Sequence, residues 1–427
     1  MNFIKKRDTF IRWFTLGLAF RLLLMPFFTH LDLLTDYWVA HLTAFEHRLP
    51  SEIRGGIYCF SILHYMHTFF LKTLAIIAPY LKTIWFQPWG LPDSEGMTTI
   101  ANWMNFVGSR QIFLTLFLLK VPYLLFDMAA CFILLSFFET EKSQTSFLKF
   151  WMFNPISLFV IYIFSRYEII PMFFIILSIL YLKKNKCALG AIFLGIALVM
   201  KLYALLFVPF YVLSTGPKWP HRARNLLWVL APGILMIAVA VLSGKAAEFS
   251  NFTTLPHNDY ILGLNVLIHP NNELNYVDRI YIVPVVFMLL LLIAEREKPG
   301  WQTYVDHIFI FLNLFFAFSF FHPQYFFWIV PFWALKIQSH KSFLPLFLLQ
   351  VMLVGVYSFH WVRPLSVYLA APLAPEFFSS LPSPFEIINI FYPGDKFINL
   401  TRSIFTGVSL WIIYRVWYFR KEGNQDV

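Results

Sequence analysis

Long apolar stretches separated by short polar segments recur along almost the whole chain. A helix needs about 20 apolar residues to cross the roughly 30 Å hydrocarbon core of a bilayer, and shorter stretches suffice where neighbouring helices bury them. The pattern predicts twelve spans: 9–28, 111–138, 148–164, 167–183, 187–200, 203–214, 225–243, 279–295, 301–320, 322–337, 342–361 and 400–418. The predicted fold class is therefore an all-α polytopic membrane protein, in which residues 1–427 form a single integral membrane domain.

A thirteenth apolar stretch, residues 57–78, is interrupted by His64, His67 and Lys72. These side chains suit an interfacial or re-entrant helix better than a span, so the bundle has about 12 to 13 helices. The positive-inside rule agrees, because a non-crossing stretch concentrates Lys and Arg on the cytoplasmic side, whereas a crossing reverses this bias.

With this orientation both termini are predicted to be cytoplasmic, and the connections on that side are short. Three long segments, residues 29–110, 244–278 and 362–399, are predicted to be extracytoplasmic, the first of them with interfacial helices. The first span is led by Lys5, Lys6 and Arg7 and lacks a small-residue cleavage site, so we expect it to be retained.

The composition excludes a soluble or disordered chain, because 59% of the residues are hydrophobic and only 13% are charged. The formal charge is 33 − 23 = +10, but the basic residues are scattered between apolar stretches. This pattern indicates membrane topology and argues against nucleic-acid binding. Three widely spaced cysteines predict neither a disulfide framework nor a thiolate metal site, and no P-loop motif is present.

Polar residues gather at the predicted extracytoplasmic ends of the helices. The clusters are residues 30–38, 165–168, 200–203, 257–260 and 321–325. Clusters on several helix ends of one face are what an active site at the membrane surface requires.

The first of these clusters carries Asp32 and Asp36, four residues apart and therefore on one face of a helix. Either carboxylate could act as a general base toward a hydroxyl, or could simply cap a loop helix. Arg166 and Lys201 occupy tight turns, where a cation could hold a phosphate oxygen. The alternatives are that these cations reach lipid headgroups or pair with Glu168.

His322, Gln324 and Tyr325 place an imidazole, an amide and a phenol in one proline-containing turn, which favours function over capping. Lys120 and Asp127 lie seven residues apart within one span, and we expect them to satisfy each other or a neighbouring helix. The histidines near the start of the chain lack a defined ligand pattern. No metal ligands are therefore assigned, and a divalent metal stays open as a cofactor.

Several motifs in the order of the chain carry a resemblance to a known family. They are THLDLLTDYW, KVPYLLFD, FNP, SRYE, MKLYALLFVPF and FHPQYFFWIVPF, within residues 9–340. Together they resemble the GT-C superfamily of polytopic glycosyltransferases, and in particular its polyprenyl-phosphate-sugar-dependent mannosyltransferases.

This resemblance implies inverting transfer of a hexose, with mannose favoured, from a polyprenyl-phosphate donor to a hydroxyl of a lipid or glycan acceptor. It implies an aspartate of the first loop as the base, with Asp32 matched and Asp36 in competition. It places Arg166, Lys201 and His322 near the donor phosphate. The candidates for other substrate contacts are Glu168, Tyr203, Gln324 and Tyr325.

Two rival functions make different predictions. A secondary transporter or lipid flippase needs ionisable groups near the middle of the membrane, where only Lys120 and Asp127 are candidates, and symmetric repeats, which we do not find. A non-catalytic scaffold subunit predicts polar clusters that do not converge. The short loops favour a bacterial plasma membrane with an extracytoplasmic site, and the alternative is the endoplasmic reticulum membrane with a lumenal one.

Overall fold

The computed structural model describes residues 2–48, 62–86, 100–242, 265–269 and 278–423, and these residues are mostly helical. In chain order the α-helices of four or more residues are α1 (Asn2–Leu24), α2 (Leu31–Phe45), α3 (Ile62–Ile77), α4 (Ile100–Val107), α5 (Ile112–Leu135), α6 (Glu141–Met152), α7 (Ile169–Lys183), α8 (Cys187–Met200), α9 (Val208–Ser214), α10 (Trp219–Leu242), α11 (Ile282–Arg296), α12 (Trp301–Phe318), α13 (Val330–Ser339), α14 (Leu344–Tyr357), α15 (Pro375–Ser380), α16 (Pro384–Phe391) and α17 (Gly394–Gly423).

Five stretches of the described residues are long and apolar enough to cross a membrane by length and composition. They are Ile112–Leu135, Glu141–Ile163, Trp219–Val239, Lys341–Trp361 and Gly394–Phe419. Shorter apolar helices, such as α7 and α8, stand where the sequence predicts further spans. The chain is therefore compatible with an integral membrane protein built from helices, and the number of twelve spans stays a prediction.

One element departs from an all-α architecture. Strands β1 (Asn265–His269) and β2 (Asp278–Tyr281) pair antiparallel. Strands of five and four residues are too short to show a clear alternation of apolar and polar positions, so the hydrophobic pattern did not reveal them.

The apolar helices are interrupted where polar residues enter them. The Asn154 side chain accepts hydrogen bonds from the amides of Ile156 and Ser157 and starts a short helix that continues as a π-helix over Leu158–Ile163. Lys201 ends α8 in an extended conformation and is followed by a 3-10 helix, Leu202–Phe207. The second interruption places the Lys201 side chain beside Glu168.

Helix α3 covers much of the stretch predicted to be interfacial, and residues 57–61 of that stretch lie outside the described residues. The helix packs against α2. His67 is fully buried, with its Nε2 atom 2.7 Å from the Tyr123 hydroxyl of α5 and its Nδ1 atom 2.8 Å from the carbonyl oxygen of Leu63. These contacts give the polar residue of an apolar helix a partner inside the protein.

Candidate active site

Helix α2 positions both aspartates. His30 caps its N-terminus, because its Nδ1 atom accepts a hydrogen bond of 3.2 Å from the Asp32 amide. The helical repeat places Asp32 and Asp36 on one face, as the sequence predicts. The Asp36 side chain is buried, whereas 40% of the Asp32 side chain is exposed. Asp32 is therefore the more accessible carboxylate.

Arg166 joins the two aspartates. Its Nη1 atom lies 2.9 Å from Asp32 Oδ2 and 3.4 Å from Asp36 Oδ2, and its guanidinium lies 4.6 Å from the centroid of the Tyr167 ring. The preceding residue, Ser165, has a φ of 66°, in the left-handed region that non-glycine residues rarely adopt. This turn directs the guanidinium toward α2.

A second ion pair, between Lys201 and Glu168, adjoins the first. Glu168 is fully buried and also accepts a hydrogen bond of 2.9 Å from the Trp328 indole. The Lys201 ammonium lies 4.9 Å from the centroid of the Tyr167 ring and 5.3 Å from that of Tyr325. Lys201 thus pairs with Glu168, which is one of the two alternatives that the sequence leaves open.

Stacked aromatic rings form one wall beside this pair. Tyr203 stacks on Trp328 with 3.9 Å between ring centroids and 11° between planes, and Tyr325 stacks on Trp328 at 4.6 Å. The Tyr203 hydroxyl is buried and has no hydrogen-bond partner within the described ranges. Gln324, which directly precedes Tyr325, is also buried. The four predicted substrate-contact residues, counting Glu168, therefore lie in one region.

His322 completes the cluster. Its ring centroid is 5.3 Å from that of Phe164 and 4.9 Å from that of Trp361. The ring centroid of Phe164 in turn lies 4.4 Å from that of His30. Its Nδ1 atom is buried without a hydrogen-bond partner in the part of the chain that the structure describes. Burial lowers the pKa of His322 to about 3, although Asp32 acts in the opposite direction. The imidazole is therefore neutral near pH 7.

The pKa values of Asp32 and Lys201 also depart from their ordinary values. Partial loss of contact with water alone would raise the pKa of the Asp32 carboxyl, but Arg166 and His30 outweigh this effect and hold the pKa well below its usual range. Burial lowers the pKa of the Lys201 ammonium, and Glu168 offsets only part of this effect. Asp32 is consequently an ionised carboxylate that accepts hydrogen bonds.

Lys120 lies apart from this cluster. It is fully buried and donates to three backbone carbonyls, those of Met25 at 2.8 Å, Tyr162 at 2.9 Å and Phe28. It does not pair with Asp127, although the two share a helix. Of the two structural alternatives, contact with neighbouring segments of the chain is the one observed.

Asp127 is held by three donors from other helices. Arg21 Nε lies 2.7 Å from its Oδ2 atom, the Tyr162 hydroxyl also lies 2.7 Å from Oδ2, and the Trp151 indole lies 2.8 Å from Oδ1. Arg21 was not singled out from the sequence. An arginine inside the first apolar stretch was the signal that could have found it, since buried charges need partners.

Residues 257–260 lie outside the described residues. Among the residues that the structure describes, no group of three or more His, Cys, Asp or Glu side chains could hold a metal ion. Sequence reasoning also missed Phe164, Trp328 and Trp361, because aromatic residues make up 20% of the chain and none of them stands out.

The sequence matches no family model, and neither a curated protein nor a solved structure matches it. The resemblance to GT-C glycosyltransferases therefore rests on the motifs alone.

Proposed function

We propose that this chain is a membrane glycosyltransferase of GT-C type. It moves a hexose, with mannose favoured, from a polyprenyl-phosphate donor to a hydroxyl of a lipid or glycan acceptor. The observation that carries the proposal is the convergence of Asp32, Asp36 and Arg166 with Lys201 and His322 at one end of the helix bundle. The proposed site faces the extracytoplasmic side of a bacterial plasma membrane, with the lumen of the endoplasmic reticulum as the alternative.

Asp32 is the proposed general base, because it is exposed where Asp36 is buried. The acceptor oxygen attacks the anomeric carbon of the donor as the bond from this carbon to the phosphate oxygen breaks. The electron pair leaves with the lipid phosphate, and the acceptor proton moves to Asp32. A single displacement of this kind inverts the anomeric configuration.

Arg166 and Lys201 are the proposed partners of the donor phosphate. Both cations are held by carboxylates, so a phosphate must share them with Asp32 and Glu168. Any contact between the phosphate and Arg166 weakens the hold of this guanidinium on Asp32. The pKa of Asp32 then rises, which makes the carboxylate a better base as the donor binds.

The rival transporter function would use the buried charges of α1 and α5. Fixed contacts within the protein instead satisfy these charges. Lys120 and Arg21 donate hydrogen bonds to backbone carbonyls, and Asp127 accepts hydrogen bonds from the Trp151 and Tyr162 side chains. A site that carries ions or protons needs groups that exchange partners. These contacts favour a structural role. The scaffold alternative is disfavoured by the convergence of the polar clusters.

The decisive experiment is Asp32→Asn in the purified, full-length protein, assayed for transfer from a polyprenyl-phosphate hexose. Loss of a general base is expected to lower the transfer rate by about 100-fold to 10,000-fold. Asp395→Asn is the matched control, because this aspartate is exposed and belongs to α17.

Asp36→Asn distinguishes the two candidate bases. We expect a smaller loss of rate, because Asp36 contacts Arg166 from a buried position. Undiminished transfer in both Asp32→Asn and Asp36→Asn would refute the proposed mechanism.

A further inference from the structure

A cavity of about 590 Å³ lies where α7 ends and where α8 and α10 begin. Lys186, His221 and Arg224 line it together with Asn225, and we call it the basic cavity. The candidate active site lies at the opposite ends of α7 and α8. A helix of 14 or 15 residues is about 20 Å long, so the two sites are separate.

The lining of the basic cavity is positively charged, since no Asp or Glu belongs to it. Among the ion pairs of the described residues, none involves Lys186 or Arg224. The neighbouring Arg222 shows the contrast, because both Glu295 carboxylate oxygens lie 2.7 Å from its Nη1 atom. The cavity therefore presents cations whose charge is not balanced locally, which favours an anionic ligand.

The side-chain oxygen of Asn225 needs a hydrogen-bond donor from a ligand. Its side chain is 1% exposed, and its Nδ2 atom donates a hydrogen bond of 2.8 Å to the carbonyl of His221. Its Oδ1 atom is buried without a partner among the residues that the structure describes. Because a buried acceptor without a donor costs about 1–3 kcal/mol, a ligand hydroxyl would be stabilised here.

The surface beside the cavity is apolar. Leu226, Leu227 and Leu230 of α10 are 39%, 64% and 41% exposed, and α10 belongs to a stretch apolar enough to cross a membrane. Exposed leucines on such a helix suit acyl chains. An anion, a hydroxyl and an acyl chain together describe one class of ligand.

We propose that the basic cavity binds the head group of an anionic phospholipid that carries hydroxyl groups, of which phosphatidylglycerol is the simplest probe. Lys186 and Arg224 hold the phosphodiester, Asn225 Oδ1 accepts from a head-group hydroxyl, and the acyl chains lie along α10. This site is independent of the proposed sugar transfer, and its test does not measure transfer.

The experiment titrates the delipidated, full-length protein in detergent with phosphatidylglycerol and measures the bound lipid by native mass spectrometry. The double variant Lys186→Ala/Arg224→Ala is expected to weaken binding by about tenfold or more, because it removes two charge-assisted contacts. Asn225→Leu is expected to weaken phosphatidylglycerol binding by several-fold, since it removes the acceptor for the hydroxyl.

The matched control is Lys184→Ala/Lys218→Ala, which removes two exposed charges from the same end of the bundle outside the cavity lining. Equal weakening in the two double variants would reduce the effect to general surface charge and overturn the proposal. The proposal would also be overturned if phosphatidylcholine bound as tightly as phosphatidylglycerol, or if inorganic phosphate did. An unchanged melting temperature shows that each variant is folded.

Discussion

At the scale of single residues, His322 combines several unusual properties. It lies among Phe164, Trp361 and Tyr325, and its buried Nδ1 atom has no hydrogen-bond partner in the described part of the chain. The charged and titratable groups that act on it are Asp32, His30, Arg166 and Lys201. A neutral imidazole in this position fits a group that donates a hydrogen bond to an anionic ligand without adding a full charge.

The depressed pKa of His322 predicts a loss of stability in mild acid. The unfolded chain binds this proton below about pH 6.5 but the folded chain only below about pH 3, so stability falls as the pH decreases through this window. At pH 5 the loss is about 2 kcal/mol. We expect His322→Gln to lose less stability than wild type between pH 7.5 and pH 5, as measured by thermal unfolding in detergent.

His221→Gln is the control for this comparison, because His221 is exposed at the other end of the bundle. The prediction is wrong if wild type and His322→Gln show the same dependence on pH.

The sequence predicts which residues share a helix face better than which residues meet across helices. Asp32 and Asp36 share a face of α2 in the structure, as the local helical repeat predicts. The contact between Arg166 and Asp36 joins residues 130 positions apart, and the contact between Trp328 and Glu168 joins residues 160 apart. Pairings at such separations depend on how the helices pack, which a single sequence does not encode in any local pattern.

At the scale of helices, the ion pair between Arg21 and Asp127 connects α1 to α5, and α6 contributes to it. Arg21 also donates to the carbonyls of Met152 at 2.5 Å and Trp151 at 3.1 Å. All these groups are buried, so each depends on the others for its hydrogen bonds. The network therefore fixes the relative positions of three helices.

Removing one member of this network should be costly. Asp127→Ala leaves the Arg21 guanidinium buried without its carboxylate, and we expect a loss of about 3–5 kcal/mol in the free energy of unfolding. The control is Arg363→Ala, which removes an exposed ion pair of 3.1 Å with Glu386 and is expected to leave the free energy of unfolding nearly unchanged, because solvent screens exposed charges. Equal losses in the free energy of unfolding of the two variants would show that burial does not determine how much an ion pair contributes to stability.

Gly17 allows α1 to approach α6 closely. A Cβ atom at this position would lie 2.5 Å from Met152 Cβ, which is closer than real Cβ contacts. Gly17→Ala is therefore expected to destabilise the fold by about 1–3 kcal/mol through overpacking. Denaturant unfolding of the full-length protein measures this loss.

Gly355 of α14 provides the comparison, because an added Cβ there meets no atom within 4 Å. Gly355→Ala should leave the stability unchanged or raise it by about 0.5–1 kcal/mol, since alanine favours a helix more than glycine does. Equal destabilisation of both variants would contradict a specific close approach at Gly17.

At the scale of the whole molecule, the basic cavity and the candidate active site lie at opposite ends of α7 and α8. If these helices cross the bilayer, Asn185 and Ser380 should be accessible from opposite sides. Both residues are exposed and suitable for replacement by cysteine after Cys59, Cys131 and Cys187 are changed to alanine. We expect an impermeant maleimide to label Ser380→Cys in intact cells and Asn185→Cys only after permeabilisation.

Labelling of both cysteines from one side would contradict the predicted topology, and reversed labelling would mean that the candidate site faces the cytosol.

The hydrophobic pattern predicted most helices of the described chain because apolar stretches are local signals. It did not predict the π-helix after Asn154 or the strands β1 and β2, because their hydrogen bonds depend on neighbours and not on a repeat.

The α7–α8 hairpin has a mechanical consequence. Its two helices carry Glu168 and Lys201 at one end and the Lys186 turn at the other, about 20 Å away. A tilt of about 10° about one end would displace the other by roughly 3–4 Å. Such a displacement exceeds the length of a hydrogen bond, so the angle of the hairpin must be held for Glu168 to reach the Trp328 indole, which lies outside the hairpin.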